Sequence, residues 1–236
     1  MTLAAQIAIA HTGAIVITNG RIVSLAEWES RSNAWKTRTV PHAGYGFEFP
    51  PIGQRMDRLD EALTIIKRMF TEERPSFEGK HFRIDRALNS PRPIQPGGPK
   101  VLVGGGGEKR TLRLLATHGD IGHWFGGNPD DLKRKKVIFE GHCDVVKRDP
   151  SDVLLTVGVN VVLVEHERDA KAILDRIPAE RRAMVIAATP AQAAEMLGRY
   201  VDMGFGGFTM SNQTLPTHES IAVAGELIKL MRGARV

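Results

Sequence analysis

A short apolar run, Val101-Leu102-Val103, leads directly into four glycines, Gly104 to Gly107, and then into Glu108-Lys109-Arg110-Thr111. Residues without Cβ permit positive φ and let backbone N–H groups come close to a ligand, and the unpaired amides at the start of a following helix attract anions. The chemistry this spacing offers is the cradling of a phosphate. It matches neither of two better-known phosphate loops. Walker A requires G-x-x-x-x-G-K-[ST], whereas here Glu108 precedes Lys109 and Arg110 follows it; in G-x-G-x-x-G, counted from Gly104 and Gly106, the third glycine falls on Lys109. The same residues suit a bare turn with no ligand, and the local sequence leaves both readings open.

Other reactive side chains are sparse. The single cysteine, Cys143, excludes an intrachain disulfide and a Cys-based zinc framework, and its place in an amphipathic stretch predicts a packed thiol; no metal site is expected. Lys133-Arg134-Lys135-Lys136 follows Asp130-Asp131 among helix formers and reads as a solvated helix face. No groove-reading motif accompanies it, so nucleic acid is not an expected partner. The 236 residues carry 32 Lys+Arg against 27 Asp+Glu, a net charge of +5, and are 42% hydrophobic, enough for a sizeable core in one domain or at most two. No apolar run approaches the ~18 residues of a membrane span, and Met1–Ala10 lacks a basic n-region and a clear cleavage site; a cytoplasmic protein without a membrane partner is expected.

The elements that would position the glycine loop alternate between strand and helix. Ahead of it, Gly13–Thr18 and Arg21–Leu25 read as a hairpin about Asn19-Gly20. Met56, Leu59, Leu63, Ile66 and Phe70 recur at helical spacing, with Asp57, Asp60 and Glu61 toward the positive end of that helix. Pro75–Ile84 reads as two short strands about Glu78-Gly79, and Pro91, Pro93 and Pro96 as an extended arm. After the loop, Leu112, Leu115 and Ala116 mark a short helix ending at Gly119, and Asp120–Phe125 the next strand. A helix from about Asp130 to Arg148, a strand at Val153–Val164 and a helix at about Arg168–Ile177 repeat the pattern. Thr189-Pro190-Ala191-Gln192 opens a further helix with a capping box and Pro at N1; Gly204 ends it, Phe205–Met210 is a strand, and about His218–Met231 a closing helix. Parallel strands joined by helical crossovers follow, with Val101–Val103, Ile121–Phe125, Val153–Val164 and Phe205–Met210 in one sheet.

Three stretches together, Tyr45-Gly-Phe-Glu-Phe-Pro50, Pro99-Lys-Val-Leu-Val-Gly-Gly-Gly-Gly-Glu108 with Arg110-Thr-Leu-Arg-Leu114, and Thr189-Pro190 with Tyr200-Val-Asp-Met-Gly204, resemble the luciferase-like monooxygenase superfamily, and more closely its deazaflavin-dependent oxidoreductase branch. The likeness covers residues 42–236 and includes the Arg55–Leu63 helix and Phe77-Glu-Gly-Lys-His-Phe82. It implies a TIM-barrel-type (β/α)₈ fold that binds the deazaflavin coenzyme F-420, or FMN in sister branches, at the C-terminal ends of its strands. It further implies a coenzyme phosphate held by backbone amides and a hydroxyl at Gly105, Gly106, Gly107, Glu108 and Thr111, with Lys109 and Arg110 either adding charge or facing solvent. The coenzyme would pass hydride to or from a small organic substrate. His123 and Trp124 are candidates for the substrate pocket; strand alternation sends one of the pair outward, so at most one is expected there. Which residues are catalytic is not legible. A non-catalytic phosphate-binding protein and an FMN-dependent monooxygenase are the alternatives.

The first strands of such a barrel have no clear counterpart. Residues 1–41 form an atypical N-terminal segment, in which Asn19-Gly-Arg-Ile-Val23 weakly echoes a Gly-Gly-Arg strand of the family and Ala26 to Pro41 echoes nothing. The expectation is an incomplete barrel, from a shortened gene product, a shifted reading frame or a genuine alternative N-terminus. Its open strand edges would invite homo-oligomeric association and its activity would be impaired.

Overall fold

The computed structural model describes residues 15–18, 21–23, 50–177, 179–182, 185–211 and 218–233. The expected turn at Asn19-Gly20, the stretch from Ala26 to Pro41 and the aromatic match at 45–49 lie outside the described residues. The chain forms two compact units, residues 1–122 with 139–153, and residues 123–138 with 154–236.

In the first unit, β1 (Ile15–Thr18) and β2 (Arg21–Val23) pair antiparallel with Thr18 opposite Arg21, leaving two residues for the connection, as Asn-Gly predicts. β1 also lies parallel to β5 (Val101–Gly104), Ile15 opposite Val101 and Thr18 opposite Gly104. The glycine strand therefore has a parallel neighbour drawn from the segment that the sequence left unplaced. Helix α1 (Ile52–Thr71) buries Met56, Leu59, Ala62, Leu63, Ile65, Ile66 and Phe70, each of these side chains larger than alanine contributing about 1.5–3 kcal/mol when fully removed from water. It begins at Ile52, so Asp57, Asp60 and Glu61 lie beyond its first turn and are not dipole partners there; all three hold other segments instead.

The short strands β3 (Phe77–Glu78) and β4 (Arg83–Ile84) pair antiparallel across a four-residue turn, longer than the two-residue turn expected. Glu61 closes that turn: Oε1 accepts from the Lys80 N–H at 2.8 Å, and Oε2 accepts from the His81 and Phe82 N–H groups at 2.9 and 2.8 Å. A Cβ at Gly79 would lie 2.5 Å from Oε2, so the carboxylate occupies the space glycine leaves. Helix α2 (Thr111–His118) packs Leu112, Leu115 and Ala116 into the core with Val101 and Val103, leading to β6 (Ile121–Phe125). Asp120 joins the starts of β5 and β6, accepting from the Val101 N–H at 2.8 Å and donating its own N–H to the Val101 carbonyl at 2.8 Å. Helix α3 (Pro129–Val146) contributes Phe139 and Cys143, both fully buried; burial also raises the thiol's pKa, as a packed cysteine requires.

In the second unit β7 (Leu154–Leu163) is the long β-branched strand; β6 is its neighbour in the sheet, and it carries two further partners, both parallel. β9 (Gly207–Ser211) runs along Thr156–Asn160, and β8 (Val185–Ala188) along Asn160–Leu163. β8 is not among the strands that the sequence pattern predicts. Helices α4 (Glu167–Asp175), α5 (Ala179–Arg182), α6 (Pro190–Asp202) and α7 (His218–Gly233) separate and follow these strands. α6 has the expected capping box, Pro at N1, and Gly204 just beyond its end at φ +91°. Lys136 of α3 closes that end, donating from Nζ to the Met203 carbonyl at 3.0 Å. Parallel strands followed by helices are the repeating unit of the TIM-barrel class.

Candidate functional site

Gly104 closes β5, Gly105–Gly107 form the loop, and residues 108–110 turn into α2. Gly105 has φ +113°, in the region that favours glycine, and its missing Cβ would face the Thr111 methyl at 3.5 Å. A Cβ on Gly107 would stand 2.8 Å from Thr111 Oγ1. Thr111 therefore lies against the loop, with its hydroxyl in the space that Gly107 leaves free. The start of α2 has no side-chain cap: Arg110, at the N-cap position, makes no capping hydrogen bond. A helix start without its own cap and preceded by bare backbone suits an external anion.

The loop is tied down on two sides. Arg110 Nη1 donates to the Gly53 carbonyl at 2.8 Å and to Asp57 Oδ1 at 2.7 Å, so its guanidinium is held by the first turns of α1. Lys109 is exposed, and the two cations grouped in the sequence part company: one is a tether, the other faces solvent. On the other side His142 of α3 lies 2.7 Å from the Glu108 carbonyl. A carbonyl only accepts, so Nε2 of His142 carries the hydrogen. Because a trans peptide sets C=O and the next N–H in opposite directions, this bond also fixes the direction of the Lys109 N–H. Below the loop, Asp60 meets His118 Nε2 at 2.6 Å and Arg113 at 3.6 Å; the hydrogen bond from His118 holds its carboxyl below the usual carboxylate range.

His123 and Trp124 fall on opposite faces of β6, as strand alternation requires. Trp124 is 1% exposed, its ring edge-to-face with Phe205 at 5.5 Å, and belongs to the core of its unit. His123 is half-buried on the other face, with Nδ1 2.9 Å from Thr156 Oγ1 and Nε2 3.3 Å from Thr209 Oγ1. Burial pulls its pKa below the usual histidine value, so the ring is neutral at pH 7. Sequence reasoning missed His142, Asp57, Thr156 and Thr209. Their partners stand 33 to 86 residues away, and no local pattern marks them. Among the described residues no cluster of His, Cys, Asp or Glu has the form of a metal site, and no helix is long and apolar enough to cross a membrane.

The family profile described as luciferase-like monooxygenase matches residues 36–226. An F420-dependent glucose-6-phosphate dehydrogenase of Intrasporangium calvum is 29% identical over 193 residues, and one of Kineococcus radiotolerans is 40% identical over 190; each alignment covers 68% of this chain and 56% of the relative. The chain thus spans little more than half the length of these curated relatives. Among solved structures, an F420-dependent secondary alcohol dehydrogenase superposes with a TM-score of 0.65 at 17% identity, covering 78% of this chain and 64% of that one.

Proposed function

Because the chain belongs to the luciferase-like monooxygenase family, we propose that it is a deazaflavin-dependent oxidoreductase that holds the coenzyme phosphate on Gly105, Gly106, Gly107, Glu108 and Thr111. The observation that carries this reading is the loop itself: Gly105 at a positive φ that side chains rarely adopt, the Thr111 hydroxyl in the space that Gly107 leaves free, and an uncapped helix start behind it. These groups fit a phosphate. Two relatives named as F420-dependent, at 29% and 40% identity, support a deazaflavin as its bearer.

The bound coenzyme would supply hydride transfer. The chain's own part is to present backbone amides without reorganisation. His142 and the Arg110 tether hold the loop's shape before any ligand arrives, which lowers the ordering cost of binding. Since the cradle reads a phosphate that deazaflavin and FMN share, the test is a fluorescence titration of the purified chain with each coenzyme. Tighter binding of F420 is the expected result. Preference for FMN would turn the reading toward a monooxygenase, and binding of neither would overturn it. Binding without hydride transfer to any alcohol or carbonyl compound would leave a phosphate-binding protein that lacks turnover.

A further inference from the structure

Strand β7 has two unlike faces. Leu155, Val157, Val159 and Val161 are buried on one, while Thr156, Gly158 and Asn160 alternate with them on the other. On that polar face β9 brings Thr209 opposite Gly158, and β6 brings His123, with Phe125 edge-on to its ring at 6.1 Å. A Cβ at Gly158 would lie 3.1 Å from His123 Nε2 and 3.2 Å from Thr209 Oγ1, so glycine there leaves the imidazole its place between the two threonines. Thr156 is buried and Thr209 exposed, so the chain of hydroxyl, imidazole and hydroxyl runs from the interior of the unit to its surface.

A neutral imidazole donates from one nitrogen and accepts at the other, and a hydroxyl does both. Two arrangements therefore satisfy the ring. With the hydrogen on Nε2, His123 donates to Thr209, whose O–H is left to donate outward to a ligand oxygen. With the hydrogen on Nδ1, His123 donates to Thr156 and accepts from Thr209, whose oxygen is left to accept from a ligand hydroxyl. The first arrangement complements a carbonyl and the second an alcohol.

We propose that the Thr156–His123–Thr209 chain is a recognition site for the oxygen of an alcohol or carbonyl substrate, changing tautomer to suit either member of the pair. The exposed ring of Phe125, 66% accessible, supplies an apolar neighbour for the substrate's carbon skeleton. The assignment deepens the oxidoreductase reading and rests on it only in calling this ligand the substrate.

The test uses the full chain with histidine labelled by nitrogen-15, its 123 resonances identified by their loss in His123→Gln, and 2-butanol and butanone as probes. Ring nitrogen shifts report which nitrogen carries the hydrogen. Butanone should raise the proportion with hydrogen on Nε2 and 2-butanol lower it, the two differing by about fivefold, the ratio that one net hydrogen bond sets. Thr209→Val, isosteric at an exposed position, should abolish the response with unchanged circular dichroism, and Thr209→Ser should keep it. Equal shifts with both probes, a response that survives Thr209→Val, or no response at the highest soluble probe concentration would overturn the site. A chain that binds neither coenzyme yet shows the response keeps the site and loses the oxidoreductase reading; the opposite result loses the site alone.

Discussion

Replacing Glu61 by Gln tests whether one carboxylate fastens the β3–β4 turn to α1. Glu61 accepts three successive N–H groups, from Lys80, His81 and Phe82, at 2.8 to 2.9 Å. Hydrogen bonds to a charged group contribute about 1.5–3 kcal/mol each and neutral ones about 0.5–1.5. A glutamine has one oxygen, best used in place of Oε2 for His81 and Phe82. Its NH₂ then faces the Lys80 N–H, donor against donor. The substitution loses one bond and the charge assistance of two others; allowing for the partial exposure of the turn, the cost is about 2–3 kcal/mol. For a chain of this length each kcal/mol moves the thermal midpoint by about 2–4 °C, so a fall of about 4–12 °C is expected by calorimetry. Amide exchange at Lys80, His81 and Phe82 should quicken in the same variant, while coenzyme affinity, which we assign to another loop, should not change. A fall under about 1 °C with undiminished amide protection would refute the reasoning.

Further outcomes follow from the same geometry. Gly107→Ala places a methyl 2.8 Å from Thr111 Oγ1, and Gly106→Val blocks the close approach of backbone to phosphate; each should weaken coenzyme binding in a fluorescence titration by more than Lys109→Ala, which removes one screened charge. Asp60 titrates below its unfolded value, so its contribution to stability is complete above about pH 4 and is lost as pH falls through the lower folded value; Asp60→Asn should lower the urea midpoint at pH 7 and lose that effect in strong acid. For His123, held neutral by burial, the folded state binds the proton less readily than the unfolded chain. Its NMR titration should fall below the ordinary histidine value of about 6.5, and its protonation should cost stability progressively as pH drops beneath that value. Thr189→Ala removes the hydroxyl of the α6 capping box and should cost about 1 kcal/mol in urea unfolding.

What the sequence disclosed is what neighbouring residues determine. The strand, glycine loop and helix at 101–118, the capping box at Thr189 and the left-handed Gly204 each rest on residues a few positions apart, and each stands where its pattern placed it. β8 was not legible because Val185-Ile-Ala-Ala188 is a four-residue apolar run, too short for a period of two to be told from a buried piece of helix. The acids of α1 look like dipole partners because the apolar spacing is visible only from Met56 onward; with the helix starting at Ile52 they instead bind Arg110, His118 and the amides of a turn about 20 residues on. Likewise the sequence could say that His123 and Trp124 face opposite ways, but not which faces the polar side. That depended on Thr156 and Thr209, whose distance along the chain hides them.

Strand β7 is ten residues long, yet β9 uses only Thr156 to Asn160, and β8 is hung on the remainder, with Asn160 facing both Ser211 and Val185. The strand is in effect a trunk with a fork. The pairing of β9 with β7 involves none of the residues from Val161 to Thr189, so the connection between Leu163 and Val185 is expected to tolerate changes in length. Among relatives, that stretch is where insertions and deletions should accumulate, and a fusion partner or reporter spliced there would leave the glycine loop and His123 undisturbed.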